Sequence, residues 1–174
     1  MTSKDEDSPA QRAGGGDLTH VDERGRASMV DVGEKALTAR RAVAEAWIRL
    51  DAETCDLLFA GALPKGEALA VARIAGIQAA KETSRLIPLC HTLALSHVGV
   101  HFERDGADRV RVEVEASTVA GTGVEMEAMA GASVAVLTIY DMTKARCRGA
   151  VVERLQLLHK SGGKSGAYDR ARGR

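Results

Sequence analysis

Seven residues, Lys160-Ser161-Gly162-Gly163-Lys164-Ser165-Gly166, hold two cations and three glycines in one run. Glycine-rich backbone can turn several N–H groups toward an anion, and flanking ammonium groups add charge. The run ends like a nucleotide-binding P-loop, GxxxxGK[ST], but that motif needs its first glycine at position 158, where the chain has Leu158. The ten residues beyond Lys164 also leave no length for the helix that should follow. The P-loop reading fails, leaving a basic tail or a phosphate cradle of another kind.

Other residues offer proton chemistry. Asp141 and Lys144 are three apart, so on a helix they share a face and can pair. They follow the apolar run Ser133–Tyr140, where a charge pair is more often buried or site-lining than freely solvated. Glu125 and Glu127 fall in the first turn of the same helix, where carboxylates suit the positive end of the helix dipole. Glu127, Gly131, Val134, Thr138 and Asp141 lie along one face. Fourteen residues at 1.5 Å each put Glu127 and Asp141 about 21 Å apart, so a single small ligand cannot touch both on one helix. Cys90-His91, just after Pro88, reads as a loop offering one hydrogen-bonding or acid/base imidazole. His97 and His101 share a strand face, but His91 precedes the strand, and we expect no metal site. Lys65, on the Pro64-Lys65-Gly66 turn, is a loop lysine suited to an anionic ligand.

Alternating periodicity in "RAVAEAWIRL" predicts a strand with Ala42, Ala44, Ala46, Ile48 and Leu50 on one side. "AETCDLLFAG" reads as a short helix stopped by Gly61, and "GEALAVARIAGIQAAKETSRLI" as one long Ala-rich helix ended at Pro88. Two alternating runs flank Asp105-Gly106, a hairpin signal. Residues 123–146 have the apolar content of a buried helix, and "VVERLQLLHK" closes as a strand. The order predicts an α+β, ferredoxin-like βαββαβ fold, with helices on one face of an antiparallel sheet. Residues 1–17 are polar and acidic and end in three glycines, predicting a disordered extension. The domain is expected to span 18–166, with 167–174 a mobile tail.

Lys plus Arg and Asp plus Glu both number 24, so bulk charge predicts attraction to neither nucleic acid nor anionic membrane. Aromatics are only 3% of the chain, which leaves no base-stacking sheet of the kind RNA-binding ferredoxin-like domains use. Three scattered cysteines without a CxxC pair argue against disulfides and structural zinc. No apolar run approaches the roughly 20 residues of a membrane span, and no leader-like segment opens the chain. A soluble cytoplasmic protein is the expectation.

The stretches "LTHVDERGRASMVDV", "ARIAGIQAAKETSRLIPLCH", "TGVEMEAMAGASVAVLTIYDMTKA" and "KSGGKSG" together resemble the cyclic pyranopterin monophosphate synthase family, the MoaC-type proteins of molybdenum cofactor biosynthesis. The resemblance covers roughly residues 18–166. It implies a lyase that converts 3′,8-cyclo-7,8-dihydro-GTP to cyclic pyranopterin monophosphate and pyrophosphate. It also implies a homohexamer, a trimer of dimers, with the pocket at a subunit interface. By position, Asp141 becomes the catalytic acid/base, with Lys144 and Lys65 beside it. Leu89, Cys90, His91, Glu125, Met126 and Glu127 match substrate-contacting segments, and Lys160 and Lys164 would hold the triphosphate. No cofactor is implied, with Mg²⁺ accompanying the triphosphate left open. One position departs: after "IPLCH" the family commonly has proline, and this chain has Thr92, which frees an N–H and loosens the loop that carries His91. A non-catalytic nucleotide sensor using the same lysines is the rival reading.

Overall fold

A computed structural model describes residues 26–164 and 166–171. Residues 1–30 form a separate unit, within which only 26–30 are described, with Arg26 to Met29 exposed. The extension expected at 1–17 lies outside the described residues.

From Asp31 onward the elements are β1 (Thr38–Arg49), α1 (Ala52–Phe59), α2 (Ala68–Lys81), α3 (Thr83–Leu86), β2 (His97–Asp105), β3 (Arg109–Ala120), α4 (Glu125–Thr143), β4 (Val151–Ser161) and β5 (Tyr168–Asp169). All strand pairs are antiparallel, in the order β2-β3-β1-β4-β5. The ferredoxin-like α+β fold expected from the sequence is the fold of the chain, with β5 added outside β4. The β2–β3 hairpin turns through Gly106, whose φ of 65° suits a residue without Cβ.

One face of the sheet makes the core. Ala42, Ala44, Ala46 and Ile48 of β1 stand opposite Ala116, Val114, Val112 and Val110 of β3, and all eight are fully buried. Side chains this small leave little depth to fill, so the helices must come close. They do so at Gly76 and Gly131, where α2 crosses α4. A Cβ on Gly131 would lie 3.1 Å from the Gly76 carbonyl oxygen and 3.0 Å from Val114 Cγ1. Glycine here allows the close helix approach that a core of small side chains requires. The opposite face carries charge ladders instead, among them Arg111 to Glu45 at 2.6 Å and Arg41 to Glu115 at 2.7 Å.

The single helix expected up to Pro88 is two. α2 ends at Lys81, Glu82 takes φ −104° and ψ 10°, and α3 restarts at Thr83. Buried Thr83 explains the break, because its hydroxyl donates to the carbonyls of Ala79 and Ala80 at 3.2 and 3.0 Å. Such local side-chain bonds compete with the helix ladder. Helix α4, by contrast, runs unbroken for 19 residues and links the two regions where the candidate site residues lie.

Candidate active site

At the C-terminal end of α4 three residues converge. Lys144 caps the helix, one turn past Asp141, and its Nζ lies 2.8 Å from Asp141 Oδ1. Lys65 arrives from the α1–α2 loop, which turns at Gly66 with φ 90°. Its Nζ donates to the Asp141 carbonyl oxygen at 2.9 Å and stands 3.5 Å from Oδ2. Lys144 first, and Lys65 after it, hold the Asp141 carboxyl below its ordinary range, while Asp141 raises Lys144. All three side chains are substantially exposed, Asp141 at 56%. Water screens such pairs strongly, so the trio contributes little to stability. The apolar run before Asp141 suggested a more enclosed pair than this; in the folded chain the helix end carries the carboxylate out to solvent. What the trio offers is an ionised carboxylate flanked by two cations on an open surface.

The N-terminal end of α4 is built differently. Glu127 is only 4% exposed. Burial pushes its carboxyl upward, and the charge of Glu125 adds to the effect. The Cys90 thiol is also raised, by burial first and then by the field of Glu127, so the "IPLCH" loop packs at this end of α4. Leu89, Cys90 and His91 are all half-buried, while Met126 is exposed beside Glu127. Glu125 turns its carboxylate back over Gly123, where a Cβ would overlap it. There it meets Lys160 of β4, with Nζ 3.2 Å from Glu125 Oε1. Lys164 follows on the exposed loop. Thr92, the departure noted above, donates its hydroxyl to Ser84 Oγ of α3 at 3.1 Å, a tie that restrains the loop next to His91.

Arg40 is the residue that sequence reading overlooked. Gly162 and Gly163 have φ of 95° and 75°. A Cβ on Gly162 would overlap the Ala39 carbonyl oxygen, and one on Gly163 would overlap the Arg40 guanidinium. The glycine turn thus lies directly on the start of β1, with Arg40 against it and its Nε donating to the Ala120 carbonyl at 3.2 Å. Arg40 and Lys160 bring cationic side chains to this turn. In sequence Arg40 is one of two adjacent arginines in a strand; only the pairing of Arg41 with Ser161 shows that the turn folds onto it.

The structure therefore gathers the expected residues into two groups. Lys65, Asp141 and Lys144 form one; Leu89, Cys90, His91, Glu125, Met126, Glu127, Lys160 and Lys164 belong to the other. One continuous helix separates them, by about 21 Å between Glu127 and Asp141. Two cavities, of about 210 and 260 Å³, open on the charge-ladder face and are lined by no member of either group. Among the described residues, no three His, Cys, Asp or Glu side chains are arranged to hold a metal ion. No described helix is long and apolar enough to cross a membrane.

A model of the MoaC family matches residues 29–163, most of the chain and all the residues above except Lys164. The chain belongs to the MoaC family. MoaC-family proteins are enzymes of molybdenum cofactor biosynthesis, as the resemblance of the quoted stretches led us to expect. Within the matched span, both ends of α4 and the loops that meet them hold the ionisable residues singled out by type and spacing.

Proposed function

We propose that the chain is a cyclic pyranopterin monophosphate synthase, a lyase acting on 3′,8-cyclo-7,8-dihydro-GTP and releasing pyrophosphate. Its pocket forms where the Asp141 end of one chain's α4 faces the Glu127 end of a partner's, within a homohexamer built as a trimer of dimers. The observation that carries this reading is the pair of unlike ionisable groups at opposite ends of one rigid helix. Rearranging a pterin requires protons to be taken at some atoms and given at others, which is easiest with two groups tuned apart. Asp141, held ionised by Lys144 and Lys65, suits the base. Glu127, raised by burial, suits the acid.

Closing the cyclic phosphate forms one P–O bond at the α-phosphorus and breaks another, expelling pyrophosphate. The attacking hydroxyl gives up its proton, and negative charge grows on the departing group. Cations that meet that charge lower the barrier. Lys160, Lys164 and Arg40 fill this role, and Leu89, Cys90, His91 and Met126 line the pterin side. The reading assigns no resident cofactor; Mg²⁺ enters only as a companion of the triphosphate.

Incubating the purified protein with the cyclic GTP precursor should release pyrophosphate in step with product. Precursor that binds but is returned unchanged would make the protein a nucleotide sensor instead.

A further inference from the structure

Beyond the glycine turn, the chain returns to the sheet as β5, and the contacts there have no role in the chemistry above. His159 and Asp169 stand opposite one another in the β4–β5 pairing, and His159 Nδ1 lies 2.7 Å from Asp169 Oδ1. The next pair is Lys160 with Tyr168. On the other side of the His159–Asp169 pair, the Arg170 N–H donates to the Leu158 carbonyl and its Nε to the Leu157 carbonyl, each at 2.8 Å. Two residues of strand hold little by themselves. The His159–Asp169 clasp and the Arg170 bonds are what fasten this return segment to β4.

Side chains alternate across a strand. Lys160 shares a face with Ala42, the core side, and reaches Glu125 at the start of α4. His159 pairs with Val43 and points to the opposite face. There His159, Asp169 and Arg170 line the cavity of about 260 Å³ together with Arg41, Val43 and Glu113. The clasp is therefore behind the sheet from a ligand held by Lys160. It can influence that ligand only through the backbone between them.

We propose that His159 and Asp169 are positioning residues. Their clasp fixes β5 on β4, and so holds Lys160 and the Gly162–Gly163 turn against Arg40 in the shape that receives the pyrophosphate end of the substrate. The proposal rests on the function given above. Its physical basis is the freedom of the two glycines, which have many conformations to lose when an anion orders them. Fastening the chain on the far side of the turn removes part of that loss before the ligand arrives, which is preorganisation.

Inorganic pyrophosphate is the probe, titrated calorimetrically into the full chain, with steady-state kinetics on the precursor alongside. Asp169→Ala should weaken pyrophosphate binding roughly tenfold, the loss expected when only about a tenth of free molecules hold the receptive shape. It should raise KM more than it lowers kcat, because the proton-transfer groups are untouched. The double variant His159→Cys/Asp169→Cys supplies the control for role. Directly opposed residues of an antiparallel pair lie about 4.5–5.5 Å apart at Cα, within disulfide range. Oxidation should restore binding, and reduction should abolish the gain. A Lys160→Ala/Lys164→Ala protein separates the clasp from the reading it rests on. If that protein loses pyrophosphate while Asp169→Ala binds it like wild type, the clasp is overturned and the anion site stands. If wild type itself does not bind pyrophosphate, both fall. An oxidised cysteine pair no better than the reduced one also overturns the clasp.

Discussion

The two ends of α4 hold carboxylates of the same chemistry in opposite surroundings. Asp141 is exposed, ion-paired and pushed down; Glu127 is buried and pushed up. Helix dipole alone predicts the reverse order, since the N-terminal end favours a charged carboxylate and the C-terminal end disfavours it. Desolvation wins at Glu127 because burial acts on the whole charge, whereas the dipole supplies only about half a charge. Local cations win at Asp141. The lesson is that position on a helix sets a weak bias, and what packs around each end decides the direction in which its carboxyl is shifted.

The largest test of this contrast is catalytic. Asp141→Asn keeps shape and hydrogen bonding but cannot take a proton, so turnover should fall by orders of magnitude while the protein stays folded. Glu127→Gln should be similarly inactive if its proton is needed. Mixing the two inactive proteins then asks whether the ends meet across chains. Where a pocket draws Asp141 from one subunit and Glu127 from another, mixed assemblies contain some intact pockets and activity returns. Mixed assemblies confirmed by mass spectrometry but still inactive would place both residues in one chain's site or strip one of its role. Near-normal turnover in Asp141→Asn would remove it from proton transfer altogether.

A smaller effect should appear in stability, with a sign that differs between the two ends. The folded-state carboxyl of Glu127 is raised, so its charge is tolerated less in the folded chain than in the unfolded one. Below the ordinary Glu value both states are protonated and nothing is lost. As pH rises through the ordinary value and then the raised one, the wild-type protein gives up stability. Glu127→Gln removes that loss. Its Tm should exceed wild type at neutral pH by roughly 2–4 °C, the shift that a change on the order of 1 kcal/mol produces in a domain this long. The difference should vanish on acidification. A variant less stable than wild type at neutral pH would mean that the ionised carboxylate is held by bonds stronger than its desolvation.

How far these features can be read from sequence depends on what creates them. The alternation in β1, the Asp105-Gly106 turn and the long apolar face of α4 are local patterns, and each is where the residues put it. The α2–α3 break is not visible, because it depends on Thr83 being buried and bonding back to Ala79 and Ala80. β5 has no pattern at all in two residues; it exists because the edge of β4 and Asp169 provide partners. At the site, residue types and spacing singled out the ionisable candidates and predicted that Glu127 and Asp141 lie too far apart on one helix for a single small ligand. They could not separate Glu125 from Glu127, two positions apart in one helical turn, of which only Glu127 is buried. Nor could they find Arg40, whose place against Gly163 is set by strand register.

The smallest expected effect completes the contrast at the other end of α4. Asp141 has a lowered carboxyl in the folded chain, caused first by Lys144 and then by Lys65. A depressed value stabilises the fold above the ordinary Asp value, and that contribution disappears as pH falls through the folded value. Asp141→Asn should therefore differ from wild type only at neutral pH, in the direction opposite to Glu127→Gln, and converge with it in acid. Because the three side chains are well exposed, the change in Tm should be near the limit of detection and should shrink further in salt. Thermal melts across pH at low and high ionic strength would show this. A large, salt-insensitive drop would mean that the trio is desolvated in the assembled protein, as expected if a partner subunit closes over it.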